Sequence, residues 1–258
     1  MRKSHLVAVA FMAGLISLSQ PVKSQINGKQ IIEQVYNLPT GKDLQCDLVM
    51  TLTSKQGDER VSHLRHFITD NGSIEKTLMF FLSPADDRNS SFIDWSYADG
   101  KDDDQWIDLP ALKRTKRISS DSKGDYFMGS DFTYDDLDDR HPDEDNHKFL
   151  REEKLGDNDC NVVESMSKDP NYMYSKTITW VIRDNYIGLK REFYDDSKNL
   201  LKTLNINKIE KINGFWTILE TEMTNIQKNH RTKMIFSNVK INQGIPESKF
   251  TERRMTLG

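Results

Sequence analysis

The amino-acid sequence predicts a mainly β protein with few short helices, built on a strongly curved antiparallel sheet. Two observations lead to this fold class. Segments of alternating apolar and polar residues recur along most of the chain, and turns rich in Gly, Asn, Asp and Pro separate them. Helical periodicity is confined to one short stretch. Because open sheets of more than about ten strands rarely stay flat, we expect an incomplete barrel with an apolar concave face.

The N-terminus has the pattern of a cleavable export signal. Arg2 and Lys3 precede an apolar run over residues 6–18, and the small residues Val22 and Ser24 suit a cut after residue 24. The run is shorter than the roughly 20 apolar residues needed to span a bilayer. An uncleaved anchor or a buried N-terminal helix is the alternative. We therefore predict a signal peptide at 1–24, a single β domain at 25–258, and a soluble periplasmic protein.

Strand patterns dominate the first half of the predicted domain. A short amphipathic helix is expected at residues 28–36, because apolar residues recur at helical spacing and Pro39 follows. Behind it, the apolar residues of segment 44–52 occupy every second position, which gives that strand one apolar face. Further strands are predicted at 61–69, 77–82, 92–97 and 105–109.

The second half repeats this pattern after an irregular, highly charged segment at 110–146. Long connections of this kind are usually functional or disordered. Within it, residues 133–137 are expected to form one or two helical turns, with Thr133 as a possible N-cap. Strands are then predicted at 148–155, 160–168, 174–183, 188–194, 200–212, 215–225 and 231–241.

Two motifs in and beside the irregular segment carry a family resemblance. Residues 105–118 read Gln-Trp-Ile-Asp-Leu-Pro-Ala-Leu-Lys-Arg-Thr-Lys-Arg-Ile, and residues 127–137 read Phe-Met-Gly-Ser-Asp-Phe-Thr-Tyr-Asp-Asp-Leu. The pair resembles the signatures of the LolA-like outer-membrane lipoprotein-sorting family, in the branch with the Gly-Ser-Asp-Phe motif. The resemblance covers nearly the whole mature chain. Asp108 and Lys116 are its small departures.

The resemblance implies a half-open β-barrel with a helical lid and a cavity that accepts acyl chains. It also implies lipoprotein or lipid acyl chains as cargo, an inner-membrane transporter of the ABC or RND type, and an outer-membrane acceptor. The predicted cavity residues are the apolar and aromatic side chains of the strands, although the same residues would also suit a closed core. The sequence does not say which strand face is concave. These residues are Leu48, Met50, Leu52, Phe67, Met79, Phe81, Phe92, Trp95, Trp106, Trp180, Phe193 and Trp216.

The motifs also supply candidates for partner contact. The basic residues could bind an acidic partner or lipid phosphates, and Arg can do so bidentately. They could instead form internal ion pairs with Asp131, Asp135 and Asp136. Gly129, Ser130 and Asp131 are expected to form a tight turn, and Ser130 or Asp131 could cap the turn of helix that follows. The contact candidates are Lys113, Arg114, Lys116, Arg117, Gly129, Ser130, Asp131 and Phe132.

Catalytic, metal and nucleic-acid functions find little support. A catalytic Ser130 would need a histidine partner, and none of the histidines has a recognisable motif context. The acidic run 102–104 lacks the ligand spacing of a calcium loop, and a net charge of −4 gives no support for bulk nucleic-acid binding. We predict no catalytic residue, metal or cofactor. Cys46 and Cys160 could form a disulfide or remain two buried thiols.

Three functions follow from these observations. The first is a periplasmic carrier that binds acyl chains in an apolar cavity for transfer towards the outer membrane. The second is a lipid-sensing or accessory binding module of an RND-type exporter, without cargo shuttling. The third is an enzyme, for which the sequence offers no catalytic constellation.

Overall fold

One antiparallel sheet organises the chain in a computed structural model that describes residues 27–110 and 114–255. Its 13 strands lie in the order β6-β5-β4-β3-β2-β1-β13-β12-β11-β10-β9-β8-β7. The predicted signal peptide lies outside the described residues, and none of the described helices is long and apolar enough to cross a membrane. The strands are β1 Asp43–Thr53, β2 Glu59–Asp70, β3 Ile74–Ser83, β4 Ser91–Tyr97, β5 Asp104–Leu109, β6 Arg114–Ile118, β7 Asp145–Leu155, β8 Asn158–Ser167, β9 Lys176–Ile182, β10 Gly188–Tyr194, β11 Leu200–Ile212, β12 Phe215–Asn225 and β13 His230–Ile241.

The sheet consists of two meanders joined at their first and last strands. Neighbouring strands within each meander are consecutive in sequence, whereas β1 pairs with β13. At this junction Leu48 lies opposite Phe236, and Met50 lies opposite Met234. Tight turns connect the hairpins; Asn213 and Gly214 both adopt positive φ (49° and 91°), as a two-residue hairpin turn requires.

Helical structure is sparse. Helix α1 spans Gly28–Tyr36, with the Asn27 side chain accepting a hydrogen bond from the Lys29 amide as its N-cap. Ile31 and Ile32 of α1 pack against Val163 and Val181 of the sheet. A second short helix, α2, spans Glu252–Met255.

The sheet curves around one face. Buried apolar side chains from β1–β6 and from β10, β12 and β13 converge in a single cluster, so strands far apart in the sheet order meet there. This face is therefore concave. On the opposite, convex face of β2–β5, the C-terminal residues Phe250 and Met255 cover a second cluster that contains Leu78 and Ile93.

The predicted fold class is confirmed, with two local differences. The segment 110–146 was expected to contain no strand, yet Arg114–Ile118 forms β6 at the edge of the sheet. Its run of exposed basic residues hides the strand pattern, and such charges are typical of edge strands. In the expected helix at 133–137 only Asp135–Leu137 forms a 3₁₀ turn, and the Thr133 hydroxyl accepts a hydrogen bond from the Asp136 amide at 3.2 Å.

Candidate functional site

The concave face carries a large group of buried apolar side chains. We call its buried side chains the concave cluster. Most come from alternate positions of strands, which direct every second side chain to the same face. The strand members are Leu48, Met50, Leu52, Leu64, Met79, Phe81, Phe92, Ile107, Ile118, Phe193, Met223 and Met234.

The chain itself fills this concave face. Residues 119–144, which we call the connector, link β6 to β7 and place Phe127, Phe132 and Tyr134 in the concave cluster. The ring of Phe127 lies 5.3 Å from Phe92 and 6.0 Å from Phe81, measured between ring centroids. Phe127 is 0% exposed. The expected apolar hollow is therefore occupied in this structure by the protein's own aromatic side chains.

A first polar contact fixes the connector to β13. The side chain of Asp131 accepts hydrogen bonds from the Thr232 hydroxyl at 2.8 Å and from His230 Nδ1 at 2.7 Å. The amide of Asp131 in turn donates to the Thr232 hydroxyl at 2.8 Å. Because Asp131 and Thr232 are buried, these bonds satisfy polar groups that water cannot reach.

A second polar contact fixes the connector to β11. Lys202 is fully buried, and its ammonium group pairs with the Asp136 carboxylate and donates to the main-chain oxygen of Asp131. The Tyr174 hydroxyl donates to the same carboxylate at 3.0 Å. Sequence reasoning missed Lys202, Thr232 and His230 as partners of the motif. One signal in the sequence could have identified Lys202. It lies two residues before Leu204 on β11, so the two side chains point to the same face of the sheet, and a lysine on an apolar face needs an acidic partner.

The Gly-Ser-Asp-Phe motif forms the expected tight turn between these contacts. Gly129 has φ +76°, and the preceding Met128 also has a positive φ of 47°. The Ser130 hydroxyl donates to the main-chain oxygen of Phe132 at 3.3 Å and accepts from its amide at 3.2 Å. Ser130 is thus part of the turn, and Asp131 rather than Ser130 bonds to the histidine. Phe132 packs into the concave cluster.

The predicted cavity residues separate into several groups. Seven of them meet in the concave cluster: Leu48, Met50, Leu52, Met79, Phe81, Phe92 and Phe193. The remaining five do not line this face, because their strand positions direct them elsewhere. Phe67, Trp95 and Trp106 belong to the convex cluster beneath the C-terminus, Trp180 packs in a further cluster with Val162, and Trp216 is 40% exposed.

Among the described residues of the basic motif, none forms the alternative ion pairs with Asp131, Asp135 or Asp136. Arg117 pairs instead with Asp104, because β5 and β6 are neighbours and both residues lie near Trp106 on the convex side. Arg114 and Lys116 are exposed and form no ion pair within the described part of the chain. Lys113 lies outside the described residues.

A polar cavity adjoins the concave cluster. It has a volume of about 90 Å³ and lies between α1, the connector and strands β7–β12. Its apolar wall comprises Ile32 and Val35 of α1 with Phe193, Leu204 and Met223 of the sheet. The other lining residues are mainly polar and include Asp135, Asp136, Asp138, Asp139, Arg140, His141, Asp145, His147, Tyr172, Lys176 and Arg191.

Charged groups around this cavity are unevenly paired. Arg140 binds Asp145 at 2.9 Å and Glu144 at 2.8 Å, and it stacks on the Tyr172 ring. Asp135 accepts a hydrogen bond from the Tyr172 hydroxyl at 2.5 Å. Burial raises the pKa of Asp135, and burial together with the nearby Asp94 raises the pKa of Asp138 well above its usual range.

Further acidic and thiol groups have structural roles. Asp104 accepts from the Tyr97 hydroxyl at 2.7 Å and Asp103 binds Lys123 at 3.0 Å, so both are engaged within the fold. Across residues 27–110 and 114–255, no group of three or more His, Cys, Asp or Glu side chains has metal-binding geometry. Cys46 and Cys160 are free and buried, which resolves the disulfide alternative in favour of two thiols.

Comparison with known proteins identifies the family. A family model described as an uncharacterised protein matches residues 73–256. Comparison with curated proteins gives no match. An outer membrane lipoprotein-sorting protein domain from Vibrio parahaemolyticus is 32% identical, with 89% of this chain and 98% of the other covered and a TM-score of 0.83.

Two further solved structures have the same architecture. A DUF1329 family protein from Desulfovibrio piger is 27% identical over 88% of this chain and 97% of its own, with a TM-score of 0.82. A LolA superfamily protein from Nitrosomonas europaea is 20% identical over 89% of this chain and 99% of its own, with a TM-score of 0.66, and supports the fold alone. The chain therefore shares the fold of the LolA superfamily structure, and by its 32% identity to the Vibrio domain it belongs to the outer membrane lipoprotein-sorting family.

Proposed function

We propose that this protein is a periplasmic carrier that binds acyl chains of lipoproteins or lipids on its concave face for transfer towards the outer membrane. One observation carries the proposal. The concave cluster is apolar across many strands, yet its cover is the connector, a segment of turns rather than a strand of the sheet. Moving the connector would expose an acyl-binding surface without breaking a single ladder between strands.

The burial of acyl chains would offset the contacts that the connector gives up. Each CH₂ group removed from water contributes about 0.8 kcal/mol, so a diacyl cargo could replace the contacts of Phe127, Phe132 and Tyr134. The movement has a cost, because the buried hydrogen bonds of Asp131 and the ion pair of Asp136 must either break or be kept by partner residues that move with the connector. This balance requires no nucleophile or metal.

The proposed setting is the periplasm. It rests on the export pattern of residues 1–24 and on the relationship to an outer membrane lipoprotein-sorting domain. In this setting an inner-membrane transporter of the ABC or RND type would load the carrier, and an outer-membrane acceptor would unload it.

The test is mass spectrometry of lipids that co-purify with the mature protein, together with displacement of a fluorescent acyl probe. We expect bound acyl lipid and saturable probe binding at one stoichiometric site. Protein purified from its native envelope without lipid, and without probe binding across the solubility range of the probe, would overturn the proposal.

An accessory role at an RND-type exporter is the second candidate. The observation that favours it is the edge strand β6, where the exposed Arg114 and Lys116 flank the rim of the concave face opposite Leu109 and Ile107. An acidic protein segment could bind there. The double substitution R114E with K116E reverses both charges, and it should abolish capture of the exporter while leaving acyl-probe binding unchanged. If the double variant instead lost probe binding and still captured the exporter, the result would favour the carrier function.

A further inference from the structure

Two buried hydrogen-bond acceptors on the concave face lack donors. Asp94 is 4% exposed and Gln105 is 0% exposed, and the two residues lie directly opposite each other on β4 and β5. Both side chains lie on the concave face, because Phe92 and Ile107, two positions away on the same strands, belong to the concave cluster. Asp94 Oδ1 and Gln105 Oε1 have no hydrogen-bond partner among the residues that the structure describes. Buried oxygen atoms of this kind usually have a donor.

The connector fixes the orientation of the Gln105 amide group. Gln105 Nε2 donates a hydrogen bond to the main-chain oxygen of Tyr134 at 3.2 Å, and Tyr134 belongs to the concave cluster. The side chains of Gln105 and Asp94 are also within hydrogen-bonding distance of each other. An ionised carboxylate has no proton to donate, whereas a neutral carboxyl group donates one O–H. A proton on Asp94 Oδ1 would therefore give Gln105 Oε1 its missing donor, so that one proton would satisfy both atoms.

A second carboxyl group binds the connector to the same region. The side chain of Asp138, in the connector, forms a hydrogen bond with the side chain of Asp103, which directly precedes β5. Two carboxyl groups form such a bond only when one of them is protonated. Lys123 pairs with Asp103 at 3.0 Å, which favours the negative charge on Asp103 and the proton on Asp138. We call the Asp94–Gln105 and Asp103–Asp138 pairs the proton-dependent contacts.

The groups that face Asp94 are mostly acidic. They lie on β3, at the start of β5 and in the connector, and they are Glu75, Asp103, Asp104 and Asp138. The cation Lys123 also acts on Asp94, but it is already paired with Asp103. Burial, followed by the charge of Asp103, raises the pKa of Asp94 to about 7. An ionised Asp94 would thus be a buried charge that lies among other carboxyl groups and opposite an amide oxygen.

We propose that protons on Asp94 and Asp138 hold the connector closed over the concave face, and that loss of these protons at higher pH releases it. The inference rests on the proposed carrier function and deepens it, because access of acyl chains to the concave cluster then depends on pH. In the closed state Asp94 donates to Gln105, and Gln105 holds the connector at Tyr134. After ionisation Asp94 and Gln105 present two acceptors to each other, and Asp138 and Asp103 repel each other as carboxylates.

The direction of the pH effect follows from the two environments of Asp94. When the connector moves away, water reaches Asp94, and its carboxyl group titrates near the ordinary pKa of 3.8 instead of about 7. Between these values the closed state keeps a proton that the open state has lost. The advantage of the closed state is therefore full below about pH 4 and is lost as the pH rises through about 7.

The experiment measures amide hydrogen exchange of the connector and binding of an acyl probe to the full mature protein at pH 5 and pH 8. The probe is the methyl ester of pyrenedodecanoic acid, which has no group that titrates in this interval. After correction for intrinsic exchange rates, we expect the protection of residues 132–139 to fall by about tenfold or more at pH 8, because each unit of pKa difference is a factor of about ten. Probe binding should tighten over the same interval.

Three sets of variants test the role of the protons. Asparagine cannot ionise, and its amide N–H takes the place of the carboxyl O–H. D94N with D138N should therefore keep the connector protected at both pH values and bind the probe weakly, and D94N alone should retain part of the pH change. D94A has neither charge nor donor, so it should lower the protection of the connector already at pH 5. D184N, in the exposed turn between β9 and β10, is the control and should follow the wild type.

The outcomes separate the proton-dependent contacts from the carrier function. A wild-type connector whose protection is the same at both pH values would overturn the inference, as would an equal loss of protection in the double variant. Equal protection of the connector and β1 at pH 8 would indicate global unfolding and would also overturn it. In each of these cases, probe binding would leave the carrier function intact. Release of the connector in the wild type but not in the double variant, without probe binding at either pH, would support the contacts and overturn the carrier.

Discussion

Lys202 and Asp136 form an ion pair in which the two side chains are 0% and 3% exposed. The pair joins β11 to the connector at a sequence separation of 66 residues. Removing two charges from water carries a penalty of several kcal/mol per ion, which only close pairing and additional hydrogen bonds offset. Tyr174 and the main-chain oxygen of Asp131 supply those additional bonds.

Breaking this pair should destabilise the fold strongly. K202M leaves the Asp136 carboxylate buried without its cation, so we expect the free energy of unfolding to fall by about 3–5 kcal/mol in urea denaturation. The control is K208M, which removes one member of the exposed Lys208–Glu210 pair and should cost less than about 1 kcal/mol. Equal effects of the two substitutions would contradict a structural role for the buried pair.

Shortening a connector side chain should open the concave face. F127A removes a fully buried ring and should cost about 3–5 kcal/mol of stability. It should also tighten binding of a fluorescent acyl probe, because the vacated space lies in the concave cluster. F250A is the matched control: Phe250 is equally buried but lies on the convex side, so it should lose similar stability without a gain in binding.

The buried carboxyl group of Glu75 should make the stability of the fold depend on pH. Burial, with Asp139, Asp70 and Asp94 nearby, raises the pKa of Glu75 from 4.5 to about 8. The folded protein then keeps a proton that the unfolded chain has lost, so the stabilising contribution of this group is full below about pH 4.5 and is lost as the pH rises towards 8.

The measurement compares unfolding of wild-type protein and E75Q at pH 5 and pH 8. Wild-type protein should lose on the order of 2 kcal/mol relative to E75Q over this interval, because Gln cannot ionise. E210Q, at an exposed position of β11, serves as the control and should follow the wild type. A constant difference between wild type and E75Q at both pH values would argue against the shifted pKa.

The two thiols should be unreactive in the folded protein. Burial, reinforced by Asp47, raises the pKa of Cys46 to about 12, and burial also raises the pKa of Cys160. Since the thiolate is the reactive form, a thiol reagent should titrate neither cysteine at neutral pH and both after denaturation without reductant. A disulfide that survives denaturation would contradict the free state of both residues.

Regular elements could be predicted closely from sequence where alternation and turn chemistry agree. The predicted helix 28–36 and the strands 188–194, 200–212 and 215–225 coincide with the observed bounds. Strand β6 escaped prediction because three of its four exposed residues are basic and its only buried residue is Ile118. An edge strand has no partner strand on one side of its backbone, and charged side chains there prevent pairing with other chains. Such a strand therefore lacks the apolar alternation by which strands are predicted from sequence.

The candidate site was only partly predictable, because period-two alternation does not say which face is concave. Trp106 and Ile107 are adjacent and both buried, yet they belong to opposite faces. The polar contacts of the connector could not be predicted from the sequence for a second reason. Asp131 meets Thr232 across 101 residues of sequence, and no local pattern encodes a pairing of that range.

Because β1 pairs with β13, the chain could be divided within the connector into two fragments that each keep their own strand ladders. Every other ladder joins consecutive strands, so residues before the connector and residues after it each form a continuous meander. A backbone cut within residues 119–144 would sever no ladder, and the two fragments would retain a long complementary seam through which to reassociate. The first and last strands lie side by side at the centre of the sheet, so this seam would form between the first strand of one fragment and the last strand of the other.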